Sequence, residues 1–361
     1  VRRRWLDEPA FADLVALCQL LPGPASSQVG FSIGLLRAGF RGALAAWIGF
    51  TLPSAIALLA FAYGAGTLEG RFGGGLLHGL KLVAVAIVAQ AVLGMARSLC
   101  PDRERATLAL VAAIAVSLSQ SSAVQVGAIL AGGLGGLIFC RSEAVAADGR
   151  FAVPVSRRTG FLALTLFFLI LVGLPMLQRA LHSGSLALFD AFYWAGALVF
   201  GGGHVVLPLL RDAFVTRGYV GDDAFLAGYG AAQAVPGPLF TFAAYLGAVV
   251  NTSPNGIEGA LLGLFGIFLP GMLILVGVLP FWETFRSYRS AQAMLRGVNA
   301  AVVGLLGAAL YTPVAATSIR TPGDFAVALT GFVLLVSWRA PPVLVVLVGA
   351  AGGIVLSLAG A

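Results

Sequence analysis

Long apolar runs separated by short polar segments fill the chain from end to end. Runs near 42–64, 75–96, 106–119, 123–140, 159–180, 186–210, 258–282, 297–313, 324–337 and 341–360 are predicted to be helices that cross a membrane. A hydrocarbon core of about 30 Å takes roughly 20 residues of helix, with shorter ones tolerated in a tilted bundle. Two further apolar regions, 9–36 and 223–250, are each interrupted by Pro-Gly-Pro. Proline removes a helical donor and clashes with the preceding turn, so each region is predicted to be two short helices meeting at an irregular elbow. Irregular backbone survives at membrane depth only where protein or a wet cavity covers it. The fold class expected is therefore all-α, a polytopic integral membrane protein.

The two interrupted regions are copies of one unit. Trp5–Pro24 aligns without a gap on Tyr219–Pro238, matching Ala10 to Ala224, Phe11 to Phe225, Gln19 to Gln233 and Pro22-Gly23-Pro24 to Pro236-Gly237-Pro238. After an insertion around Asn251–Gly256, Gly42-Ala43-Leu44 meets Gly259-Ala260-Leu261 and Leu52-Pro53 meets Leu269-Pro270. One further residue of slip places His78-Gly79 on Arg296-Gly297, and hence Lys81 on Asn299. Duplicated hydrophobic units broken at corresponding places point to a secondary transporter with its site at the breaks. Residues 1–140 are read as the first repeat, 141–185 as a linker with an extra helix, and 186–361 as the second repeat. The first half offers only four residues before Trp5, where the second has Leu186–Arg217, so a helix is expected to be missing at the start.

Composition strengthens the membrane reading. Hydrophobic residues make up 59% of the chain and charged residues 10%, with a mean hydropathy of +0.96, against about 25% charged residues in soluble domains. The net charge of +7 comes from arginines in short loops, since Lys81 is the lone lysine, and it reads as a topology signal rather than a nucleic-acid surface. If each broken region crosses the membrane, the loop arginines divide fifteen against six; a re-entrant path gives the same division, and the arginine-rich side is cytoplasmic in both. Crossing is the preferred reading, because about 28 residues fit one interrupted span and an inverted repeat results.

The candidate chemistry gathers at the breaks. A helix starting after Pro-Gly-Pro presents free N–H groups and the positive end of its dipole to an anion. Ser26 and Ser27 in the first half and Thr241 in the second add hydroxyls, and Gln19 and Gln233 add amides one turn before the elbows. Gly201-Gly202-Gly203-His204 reads as a third break, where glycines allow close backbone approach. Lys81 is a candidate partner for an anionic substrate, weighed against a side chain that only snorkels from a helix end. The candidate substrate-binding set is thus Gln19, Pro22, Gly23, Pro24, Ser26, Ser27, Lys81, Gly201, Gly202, Gly203, His204, Gln233, Pro236, Gly237, Pro238 and Thr241. Gly30-Phe31-Ser32-Ile33-Gly34 has the nucleophile-elbow spacing without the strand–turn–helix context, so it is assigned to helix packing. Gly132-x-x-x-Gly136 and Gly349-x-x-x-Gly353 read as close helix packing. Cys18, Cys100 and Cys140 match no metal or redox spacing.

Phe200-Gly-Gly-Gly-His-Val-Val-Leu-Pro-Leu-Leu210, Gln233-Ala-Val-Pro-Gly-Pro238 and Phe268-Leu-Pro270, with Gln19-Leu-Leu-Pro-Gly-Pro24 and Thr51-Leu-Pro53, resemble the chromate ion transporter family in its long, two-domain form. The resemblance covers nearly the whole chain, except that a first-half counterpart of the Phe-Gly-Gly motif is absent. It implies chromate efflux across a bacterial inner membrane and an inverted duplication. Sulfate or another tetrahedral oxyanion is the alternative cargo. A membrane enzyme acting on a lipid or phosphoester is the alternative class, but Asp13, Ser32, His78, His182 and His204 show no catalytic spacing. No cofactor and no metal are expected. The expected partners are chromate or a similar oxyanion and membrane lipid, without nucleic acid, and a homodimer is an open arrangement.

Overall fold

The computed structural model describes residues 6, 8–65, 70–119, 121–140, 155–200 and 203–359, and among them every regular element is helical. The first repeat comprises α1 (Glu8–Leu20), α2 (Ala25–Ala65), α3 (Gly70–Leu99), α4 (Arg103–Leu118) and α5 (Ser122–Phe139). α6 (Arg157–Leu181) links the repeats, followed by α7 (Gly184–Leu198), α8 (Val206–Phe214), α9 (Asp222–Ala234), α10 (Phe242–Val249) and α11 (Gly256–Val278). The chain closes with α12 (Trp282–Ser287), α13 (Arg289–Ala309), α14 (Ala316–Ser318), α15 (Pro322–Val336) and α16 (Pro342–Ala359). Among the described residues, six stretches are long and apolar enough to cross a membrane: 25–65, 70–99, 157–181, 256–284, 289–318 and 342–359.

α2 is two helices. Ala38 and Gly39 leave helical geometry, and a Cβ at Gly34 would lie 2.4 Å from the Gly42 carbonyl oxygen. Residues eight apart in a continuous helix are separated by about 12 Å, so the chain doubles back there. Residues 25–37 form one arm and 40–65 the spanning arm. The second repeat makes the equivalent turn between α10 and α11, where Gly247 meets the Gly259 carbonyl.

The broken regions re-enter rather than cross, which corrects the preferred sequence reading. α9 and α10 fold against each other, with the rings of Phe225 and Phe242 5.3 Å apart and the Tyr245 hydroxyl donating to the Ala224 carbonyl at 3.0 Å. Their outer ends meet, since the Asn251 N–H donates to the Tyr219 carbonyl at 2.9 Å. α7 and α8 make a second such hairpin, closed by Phe192 on Phe214 at 4.4 Å, so the run 186–210 is not one span. The first repeat's α1 is tied to the second repeat, where Trp282, just past the end of α11, donates to Asp13 at 3.1 Å. Thirteen-residue helices are each about 20 Å long and reach only partway through the bilayer. The count of 28 residues was compatible with either path.

Inversion nevertheless holds. The spanning arm of α2 runs antiparallel to its repeat mate α11, with Trp47 near Phe265 and Phe268 and Tyr63 near Gly256. α2, α3 and α6 are long enough to span, and α4 and α5 leave and return as a packed pair, so the second repeat starts on the opposite face. Arg97, Arg103, Arg105, Arg157, Arg158, Arg289 and Arg339 lie at helix ends on one face, here the arginine-rich face. Re-entry moves Arg211 and Arg217 to the other face, beside Arg71, Arg179 and Arg320.

The repeats exchange their last hairpins. α4 and α5 pack on α13 of the other repeat, and α15 and α16 pack on α3. Small residues let these backbones touch: a Cβ at Gly79 would lie 2.3 Å from the Gly349 carbonyl, and one at Gly136 would lie 2.3 Å from the Ala293 carbonyl. Both small-x-x-x-small motifs therefore make their contacts across the repeat boundary.

Candidate functional site

Three breaks meet at one place. At the first, Gly23 takes φ +118°, a conformation side chains with a Cβ rarely adopt. Its N–H donates to the Val199 carbonyl at the end of α7, 2.7 Å away. The buried Gln28 amide donates to the carbonyls of Pro22 and of Gly271 in α11, both at 2.9 Å. A Cβ on Gly23 would lie 2.8 Å from the Gly271 Cα. At the second break Gly237 has φ +152°, and a Cβ there would lie 2.4 Å from Ser54 Oγ. Gly271 follows Pro270 and Ser54 follows Pro53, so each elbow rests beside a proline carried within the long helix of the other repeat. The third break, after Val199, brings Gly203 against Leu239, whose Cβ would stand 3.4 Å from one on Gly203. Gly201 and Gly202 lie outside the described residues.

Between the breaks lies a cavity of about 290 Å³ lined by Pro24, Ala25, Ser26, Gly203, His204, Gln233, Leu239 and Phe240. A water molecule fills roughly 30 Å³, so a small ion fits with part of its hydration shell. Three helical segments begin at its wall: α2 at Ala25, the turn leading into α8 at Gly203, and the turn leading into α10 at Leu239. The first helical bond of α2 runs from Gln28 N–H to the Pro24 carbonyl, so the N–H groups of Ala25, Ser26 and Ser27 have no partner within the helix. Ser26 is exposed, whereas the Ser27 hydroxyl is buried without a hydrogen-bond partner, as is Gln233 Nε2. His204 Nδ1 pairs with the Tyr229 hydroxyl at 2.7 Å. In the tautomer where Tyr229 donates, Nε2 carries the ring proton and is a donor. Among the described residues, no lining residue is acidic and none is lysine or arginine. The cavity is thus walled by dipoles and neutral donors, a setting suited to an anion.

Of the candidate residues, the structure brings Pro24, Ser26, Gly203, His204 and Gln233 to this cavity, while Pro22, Gly23, Pro236, Gly237 and Pro238 shape its elbows. Gln19 and Gly23 line a neighbouring cavity of about 520 Å³, which Ala25 also borders. Thr241 departs from expectation: its buried hydroxyl donates to the Pro238 carbonyl at 2.7 Å and caps the elbow internally. Lys81 stands apart from the elbow cavity and pairs with Asp223 at 2.8 Å. Sequence reasoning missed Tyr229. It precedes Gln233 by one helical turn and so shares its face, the one signal that was available.

Residues 1–137 and 186–354 each match the chromate transporter family. Over 97% of this chain and 83% of the relative, the sequence is 27% identical to a chromate transport protein of Pseudomonas aeruginosa. It is 25% identical to a probable chromate transport protein of Synechococcus elongatus, covering 98% and 87%. The uncharacterized transporter YwrA of Bacillus subtilis is 30% identical over 42% of this chain and 84% of its own length. No solved structure matches the chain.

Proposed function

The chain belongs to the chromate transporter family, and from that premise we propose that it carries chromate out across the bacterial inner membrane, binding it in the cavity where the three breaks meet. The observation that supports this reading is the convergence of three helix starts on a cavity without ionised side chains. A dianion leaving water must exchange its hydration shell for donors. Unpaired N–H groups, the Ser26 hydroxyl and the amide of Gln233 supply donors without leaving a permanent buried charge when the site empties. A fixed lysine would bind strongly and slow release, and transport requires binding that reverses.

The arginine-rich face is cytoplasmic by the distribution of loop arginines. Everted vesicles containing the protein are therefore expected to accumulate chromate, with sulfate competing because it shares shape and charge. Vesicles that take up sulfate and ignore chromate would move the assignment to the alternative oxyanion; vesicles that take up neither would reject it.

A further inference from the structure

A groove of about 440 Å³ opens on the outside of the bundle between α6, α11 and the spanning arm of α2. Among the described residues its lining is apolar except for Thr159. Phe40, Thr159 and Val276 mark its end nearest the arginine-rich face, and Trp47 and Phe265 lie deeper. From Val276 to Phe265, α11 advances about 16 Å, close to half of the roughly 30 Å hydrocarbon core. The groove is therefore about as deep as one leaflet.

Two arginines stand at its shallow end. Arg41 shares a helix face with Leu44, three residues on, and Arg158 with Leu162, four residues on; both leucines line the groove. Both arginines are exposed, and neither pairs with an acid among the described residues. The groove is also distinct from the seat that α7 uses in the second repeat. There α7 rests on Gly263, Gly266 and Ile267 of α11. The repeat alignment equates these with Ala46, Gly49 and Phe50 of α2, none of which lines the groove.

We propose that the groove binds an anionic phospholipid of the leaflet on the arginine-rich face, with one acyl chain along α11 and the phosphate held by Arg41 and Arg158. Lipid tails are as apolar as the groove wall, so the chain alone gives no choice between lipids. The arginines supply it, because a basic residue near the membrane surface favours an acidic headgroup by about fivefold. The lipid site does not depend on the cargo of the elbow cavity.

Trp47 is the reporter, since it lines the groove and packs edge-on against Phe268 at 5.6 Å. The protein is placed in phosphatidylcholine vesicles containing rising fractions of chain-brominated phosphatidylglycerol or chain-brominated phosphatidylcholine. The Trp47 signal is taken as the difference between the unmodified protein and Trp47→Phe. Its half-quenching fraction is expected to be at least about fivefold lower for the phosphatidylglycerol. Arg41→Gln combined with Arg158→Gln should bring the two fractions within about twofold, in protein still monodisperse on gel filtration. In the unmodified protein the preference should also shrink in about 1 M salt, where screening sets in beyond about 3 Å. Equal fractions for the two lipids overturn the site, and a preference that survives both substitutions or the salt overturns the role of the arginines. Trp47 that neither lipid quenches, with Leu44→Cys cross-linking two copies, gives the groove to a second copy of the chain and overturns the proposal.

Discussion

Gly132 of the first repeat and Gly297 of the second touch backbone to backbone: a Cβ on Gly297 would lie 2.0 Å from the Gly132 carbonyl oxygen. The mirror contact joins Gly349 to Gly79. Overpacking a filled contact costs typically about 1–3 kcal/mol. Gly297→Leu is therefore expected to reduce folded yield and lower the melting temperature in detergent by several degrees. Gly94→Leu, on α3 with open space around its Cβ position, should leave both unchanged. Equal melting of the two variants would contradict the exchanged packing.

The exchange of hairpins also makes the repeats hold each other. Residues 1–140 and 155–361 expressed as two separate fragments are expected to co-elute on gel filtration in detergent. Fragments that elute apart would show that the inter-repeat contacts are too weak to bind.

Re-entry has a topological signature. Cysteines replacing Arg217 and Asn251 bracket the second elbow region, whose ends are joined by the Asn251–Tyr219 hydrogen bond. Both are expected to react with an impermeant reagent from the same side, opposite to Arg339→Cys. Reaction from opposite sides would restore the crossing path.

The two elbow hydroxyls should separate by the property they change. Ser26→Ala removes a donor at the cavity and is expected to raise KM for chromate several-fold with little change in melting temperature. Thr241→Ala removes an internal hydrogen bond to Pro238, worth about 1 kcal/mol, and should lower the melting temperature with little change in KM. The reverse pattern would exchange their roles.

His204 and Tyr229 form the remaining polar contact at the cavity. His204→Leu is expected to lower kcat/KM for chromate at least tenfold, while His204→Gln, which keeps a donor, retains a larger share. Tyr229→Phe should weaken transport less than His204→Leu, because Tyr229 acts through the ring it orients. Indistinguishable Leu and Gln variants would mean the donor is not used.

The helices and their breaks were legible because apolar length and Pro-Gly-Pro act locally. The grouping of Pro24, Ser26, Gly203, His204 and Gln233 could be suspected from the duplication. The direction in which each broken arm leaves its elbow could not, because 28 residues of apolar chain satisfy a crossing or a hairpin equally. Deciding it takes long-range contacts such as Trp282 with Asp13, which join residues far apart in sequence. The same holds for Lys81: its spacing marked an unusual cation, and only the fold placed Asp223 beside it. Thr241 shows a third limit, since a hydroxyl one turn past a proline either faces a ligand or folds back on the carbonyl.

Because Gly23 is fitted to Gly271 and Gly237 to Ser54, neither copy of the ancestral unit is any longer a self-sufficient inheritance. A bulkier residue arising after Pro53 would be felt at an elbow encoded more than 180 codons downstream, so the duplicates must drift together, each acting as the selective environment of its twin.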